Sequence, residues 1–474
     1  PHEEFMKRIL LAVPLLALAP GVAAAQGAQR APAGEAIRIS YTEETLPNGL
    51  KVLYHVDRSA PVAAVAVWYN VGSKHEQTGR TGFAHLFEHM MFKGSRNVPD
   101  GKHFALLEDA GARAGSDING TTNTDRTNYF ETVPSNQVEL ALWLESDRMG
   151  TLTETLTPEK LENQREVVKN ERRQGVDNQP YGVWQERMLA KVFPAGHPYH
   201  HSVIGSMEDL SAATPADVSN FFRTYYAPNN AVLVVAGDID VTQVKAMVRK
   251  HFGDIRRGPA PPPLRNMTLP AVIGQGSREV IEDANAPAPA VYVGFRMPSA
   301  RDRQGDAVEL LAAALSSRTG PLFQSLVRGQ QVATGAGAFS FGFVDGADLM
   351  VVSATGKPGS RPDSLEAALT AELDRIAAAI TPAALERVKA NLRFQLINGL
   401  QTMGGFGGRA DVLAEGYTFY RDPNWINTRL QAIGSVTPAQ VQALVRERMG
   451  ANNRAVLVFV PKPRPAPTAM QVNR

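Results

Sequence analysis

The chain has 474 residues, too many for one ordinary hydrophobic core, so two to four domains are expected. Hydrophobic residues make up 43% and charged residues 20%, a globular balance, and 49 basic against 47 acidic residues leave a net charge of +2 with no basic arm or stripe, which argues against nucleic-acid binding. The absence of cysteine excludes a thiol nucleophile and a cysteine zinc site, so any zinc must be held by histidine and carboxylate.

In chain order, Met6-Lys7-Arg8, the apolar run Ile9 to Ala19 and the small residues Ala23-Ala24-Ala25 before Gln26 read as a secretory signal peptide. Residues 1–26, with five upstream residues, are then expected to be lost and the protein exported to the periplasm or secreted. No later stretch approaches the roughly 18 uninterrupted apolar residues of a membrane helix. Pro61 to Trp68 follows as a Val-rich strand leading into polar Gly72-Ser73-Lys74-His75.

Then comes His85-Leu86-Phe87-Glu88-His89. On a helix, histidines four apart lie one turn above each other, and Glu88 falls on the same side. Two neutral imidazoles so placed can hold zinc, with a carboxylate beside the metal to take a proton from water. Phe83, Leu86, Phe87, Met90, Met91 and Phe92 make this helix apolar except at the motif. Polar groups buried in such a segment need a partner, and a metal is the natural one. Zinc requires a third protein ligand. The helix expected over Pro158 to Gln174, capped by Thr157, offers Glu162, Glu166 and Glu171, and spacing does not choose among them. Gln164 lies seven residues before Glu171, two turns up the same face, where it could support a ligand from behind.

His197, His200 and His201, with Gly196 and Pro198 among them, read as a turn or packing cluster. Asn229 to Val235 is another Val-rich strand, and Gly258 to Pro263 suits a stiff linker. Beyond it the pattern returns: a Val-rich strand at Pro289 to Phe295 before polar Ser299 to Asp302, a helix at Pro382 to Leu400 behind Thr381, and a strand at Asn452 to Val458. Gly404 to Gly408 lacks a preceding strand and a Walker lysine, so it reads as a hinge or close approach. Both parts start and finish alike, which implies an internal duplication of an α+β domain, each copy a mostly antiparallel sheet packed with helices. The expected bounds are 37–257 and 277–460, joined by a Pro-rich linker at 258–276 and followed by a disordered tail at 461–474.

The run Gly82 to Ser95 resembles the zinc helix of the pitrilysin family, the H-x-x-E-H inverzincins that include insulin-degrading enzyme and mitochondrial processing peptidase. Asn119 to Tyr129 resembles that family's next motif and Arg165 to Glu171 its distal-ligand helix. The resemblance implies a zinc metalloendopeptidase with one Zn2+ per chain on His85, His89 and Glu171, and Glu88 as general base. Glu171 lies 171 − 89 = 82 residues after the second histidine, slightly farther than is usual. An extended peptide would join a sheet edge beside Asn119 to Thr124. Many relatives carry an acid where this chain has Gln164. Two domains are also half of the four-domain clamshell chamber of single-chain relatives.

Leu322 to Thr334 resembles the segment that supplies an arginine and a tyrosine toward substrate. Arg328 matches the arginine, but Thr334 or Gly335 stands at the tyrosine's place. This implies a zinc-bearing subunit paired with a related zinc-less chain that carries the Arg/Tyr pair, with a homodimer as the other arrangement. The alternative function is a non-catalytic scaffold or binding subunit of the same fold.

Overall fold

In the computed structural model, residues 38–462 are described and belong to one compact unit. The expected signal peptide and the tail beyond Lys462 lie outside the described residues. Strands β1 (Thr42–Thr45), β2 (Lys51–Val56), β3 (Val62–Tyr69), β4 (Ile118–Thr122), β5 (Thr127–Pro134) and β6 (Ala231–Gly237) form one sheet, ordered β1-β2-β6-β3-β5-β4. Strands β7 (Ser277–Asp283), β8 (Ala290–Pro298), β9 (Ala333–Ser340), β10 (Ala347–Gly356) and β11 (Ala455–Pro461) form a second, ordered β7-β11-β8-β10-β9. Once β1 is set aside the two orders coincide. Each sheet has one parallel contact, β2 with β6 and β7 with β11, and is otherwise antiparallel. The fold is thus α+β in two similar halves, and the Val-rich strands that open and close each half are direct neighbours. Residues 256–276 between the sheets form neither helix nor strand. Pro461, read as the first tail residue, instead ends β11, because β11 keeps its parallel register with β7 as far as Asp283.

The helices repeat as well. Thr157 accepts a hydrogen bond from the Lys160 N–H and Thr381 from the Ala384 N–H, each ahead of a proline that opens a long helix, Pro158–Arg172 and Pro382–Gly399. Thr214 and Thr437 close reciprocal capping boxes on Pro215–Tyr225 and Pro438–Arg448, a second matched pair.

Both faces of each sheet are covered, which is why β6 is buried at every residue instead of alternating. On one face Val65, Val67, Leu233 and Val235 pack with Phe83, Leu86 and Phe87. On the other, Val232, Val234 and Trp68 pack with Leu413 and Phe419 of Arg409–Tyr420, a helix of the second half. The second sheet is covered reciprocally by Met188, Leu189 and Val192 of Trp184–Val192, from the first half. Gly404, ahead of Arg409–Tyr420, runs against the first sheet so closely that a Cβ there would stand 2.2 Å from Thr132 Oγ1. Between the halves Lys74, 3% exposed, places Nζ 2.8 Å from Asp125 Oδ1 and 2.7 Å from Asp345 Oδ2.

Candidate active site

The motif occupies a helix at Phe83–Met90, entered through Gly82 at φ 88, a left-handed conformation that glycine adopts without strain. Phe83, Leu86, Phe87 and Met90 are buried, with Phe87 stacked on Phe222 and Tyr226. This anchored apolar face turns His85, Glu88 and His89 the other way, onto a half-buried surface. The imidazole centroids lie 4.9 Å apart. Glu171, near the end of Pro158–Arg172, brings Oε2 to 3.7 Å from His85 Nε2 and 3.5 Å from His89 Nε2.

The donor chemistry calls for a cation. Burial, with the neighbouring His89, pushes His85 down to about 4, so its ring is neutral near pH 7. The two Nε2 atoms and Glu171 Oε2 converge at 3.5–3.7 Å, beyond hydrogen-bond distance, and a neutral imidazole offers its lone pair to a cation placed among them. Tetrahedral zinc with bonds of ~2.0–2.1 Å sets its ligand atoms about 3.3–3.4 Å apart, close to the separations seen here. Three donors within 4.8 Å of one another therefore fit zinc.

Glu88 stands beside them. Burial raises its carboxyl above the ordinary carboxylate range, opposed by a hydrogen bond from Thr122 and by the charges of His89 and Arg126. Glu88 and His89 open into a cavity of about 340 Å³ that is also lined by Asn119, Gly120, Gln164 and Phe92. Asn119 and Gly120 belong to β4, an edge strand, so one side of this cavity is a strand with no further strand beyond it among the described residues. Gln164 is buried and donates to Asn163 Oδ1. Larger cavities of about 760 and 640 Å³ lie elsewhere.

Arg328 is exposed on a π-helical segment, Phe323–Gly329, and lies outside this cavity. Thr334 donates its hydroxyl to Thr355 O within the second sheet. The histidine cluster forms a turn, in which His197 Nδ1 accepts from the Tyr199 N–H and His200 Nδ1 meets Phe193 O.

Sequence reading missed a second buried group, His103, Glu131 and Glu145. There the cation is already present: the Arg148 guanidinium, 1% exposed, bonds to both carboxylates and lies 4.2 Å from the Tyr129 ring centroid. Its signal was available in Glu145-Ser146-Asp147-Arg148, a charged run inside a helix whose neighbours are apolar.

Residues 51–205 match the family described as "Insulinase (Peptidase family M16)", and residues 212–392 the "Peptidase M16 inactive domain". An uncharacterised zinc protease of Mycobacterium leprae is 30% identical over 419 residues, 87% of this chain and 90% of that protein. Zinc protease PqqE of Helicobacter pylori is 29% identical over 376 residues, 78% of this chain and 83% of that one. The crystal structure of a protease from Helicobacter pylori superposes with a TM-score of 0.81 at 25% identity, covering 90% of this chain and 100% of that one. The chain belongs to the M16 family, the insulinase or pitrilysin-like peptidases, and its fold is that of the clamshell proteases in that family. Its similarity to proteins named zinc proteases supports a peptidase-type function.

Proposed function

We propose that this protein is a zinc metalloendopeptidase that hydrolyses peptides or unfolded segments in the periplasm, with zinc on His85, His89 and Glu171. The observation that carries this reading is the convergence of His85 Nε2, His89 Nε2 and Glu171 Oε2 beside a buried Glu88. Bound zinc polarises a carbonyl and lowers the pKa of water toward about 7. Glu88 takes the proton of the attacking water and delivers it to the leaving amine. The raised affinity of its carboxyl for a proton suits both steps. The peptide runs as an added strand along β4, with Asn119 and Gly120 beside the scissile bond. Gln164 braces the cavity wall without adding a charge.

Arg328 lies outside the cavity and no tyrosine stands at Thr334 or Gly335, so the site is completed by a partner subunit. That partner is a related chain carrying the Arg/Tyr pair, or a second copy. The test is to measure bound zinc and cleavage of a quenched peptide, with and without candidate partner chains, against Glu88→Gln. Zinc-dependent cleavage lost in Glu88→Gln is the expected result, and cleavage that survives the substitution rejects the mechanism. A chain that binds no zinc is instead the scaffold subunit. Export is checked by cell fractionation and by N-terminal sequencing, which should begin near Gln26.

A further inference from the structure

Resting on the metal site proposed above, we infer that residues 201–209 clamp the two helices that carry the donors and so set the spacing of His85 and His89 from Glu171. The motif helix begins without a capping side chain of its own, since Gly82 has none to offer. Glu76, whose side chain is 0% exposed, fills that role from outside the helix. Its Oε2 accepts from the Gly82 N–H at 2.9 Å and its Oε1 from the Ala84 N–H at 2.7 Å, one residue before His85.

His201 holds Glu76 in place. Its Nε2 lies 2.9 Å from Glu76 Oε2 and 3.1 Å from Ser73 O. A ring nitrogen facing two acceptors must carry the hydrogen, so the imidazole donates. Eight residues on, Asp209 Oδ2 accepts from both the N–H and the hydroxyl of Thr81, at 2.9 and 2.6 Å. Between them Gly205, at φ 71, packs backbone to backbone on Gly82, and a Cβ at Gly205 would stand 2.4 Å from Gly82 N.

The same segment grips the other helix. Arg172, the residue after Glu171, donates to Gly205 O at 2.9 Å and pairs with Glu186, which also accepts from Ser202 Oγ at 3.0 Å. One short segment therefore holds Thr81, just ahead of the His85 helix, reaches that helix's first turn through Glu76, and bonds directly to the last turn of the Glu171 helix. Partners that orient ligands from behind are commonly worth 10- to 100-fold in metal affinity. His201 and Arg172 are on this account positioning residues at opposite ends of one clamp.

The test compares wild type, His201→Leu, His201→Gln, Arg172→Leu and Val248→Ala by chelator competition for zinc and, on metal-free protein, by hydrogen exchange at Gly82 to Leu86. His201→Leu and Arg172→Leu are each expected to weaken zinc binding by roughly 10- to 100-fold. The first also speeds exchange at the helix start, and His201→Gln, which keeps an N–H donor, restores most of both. Val248 is buried in Val241–Phe252, which packs on Val138–Thr151, so its loss destabilises the half without touching the clamp. Wild-type zinc affinity in both leucine variants overturns the clamp, as does an equal loss in Val248→Ala. A wild type that binds no zinc rejects the proposed function instead, and unchanged exchange in His201→Leu then rejects the clamp as well. If His201→Leu does not fold, Arg172→Leu decides from the other end.

Discussion

The two halves share a sheet order and capped helices, yet differ almost completely in chemistry. In the first, Phe83–Met90 carries two histidines and a glutamate on an apolar helix. In the second, Gly305–Ser316 follows β8 as the motif helix follows β3, and its sequence is dominated by alanine and leucine. Its acids, Asp306 and Glu309, are both occupied by Arg429. The long helices diverge in the same way. Glu171 lies 171 − 158 = 13 residues after the opening proline, and the same count from Pro382, 395 − 382 = 13, reaches Gln395 beside Phe394, which is 68% exposed. Of the ten histidines, all precede the Pro-rich segment. A duplicated scaffold tolerates this because packing lies in the apolar positions, which both halves keep, while the chemistry lies in a few side chains that the packing does not require.

The most severe way to break this contrast is at the bases. Glu88→Gln is expected to lower peptide turnover by about 10²- to 10⁴-fold with zinc content unchanged, while Glu309→Gln leaves turnover as it was. Steady-state kinetics with metal analysis would contradict the asymmetry if the two losses were equal. A second comparison sets Arg148→Leu against Arg429→Leu. The first strands two fully buried carboxylates and is expected to cost about 3–5 kcal/mol. The second removes a pairing whose acids, Asp306 and Glu309, are 25% and 43% exposed and can be rehydrated, so its cost is expected to be smaller. Denaturant unfolding of both variants gives the difference.

Acid should strike the first half. Burial pushes His75 down to about 3 and His197 to about 4 from an ordinary 6.5, and His103 well below it. The unfolded chain binds these protons near 6.5 and the folded chain does not, so stability is intact above 6.5 and falls as the pH drops toward 4. The slope is on the order of 1.4 kcal/mol per pH unit for each histidine. His201 has the opposite sign: burial lowers its pKa but Glu76 outweighs this, so its contribution is lost as pH rises. Burial raises Asp348 and Glu415 of the second half to about 7, which opposes this over the same range, so the check is the thermal midpoint between pH 7 and 4 of wild type against His197→Phe, and an equal fall in both would exclude the histidine's part. The smallest and most symmetrical test is Thr157→Ala against Thr381→Ala, each expected to cost about 1 kcal/mol. Unequal losses would show that the matched caps do not do matched work.

Features set by neighbours in sequence were legible: the motif helix, the Thr-Pro helix starts and the paired Val-rich strands. Features set across the fold were not. Spacing left Glu162, Glu166 and Glu171 open, because which carboxylate reaches His85 depends on how two helices cross. Glu76 and His201 are 125 residues apart, and neither belongs to a local pattern. In sequence His201 reads only as part of a turn, since its role depends on a buried carboxylate supplied by another loop. The Val-rich run of β6 reads only as a strand, and nothing in it says that one of its two covers comes from the other half.

Lys74 bears on how the molecule could be taken apart. Its ammonium is shared between an acid of each half, and each sheet is roofed by a helix of the other. Fragments made by cutting between residues 258 and 276 would each present an apolar sheet face, and the first would keep a buried cation with half its counter-charge. Such fragments are expected to be poorly soluble alone and to regain a fold when mixed, so the duplicated halves behave in complementation as lock and key and not as two spare copies.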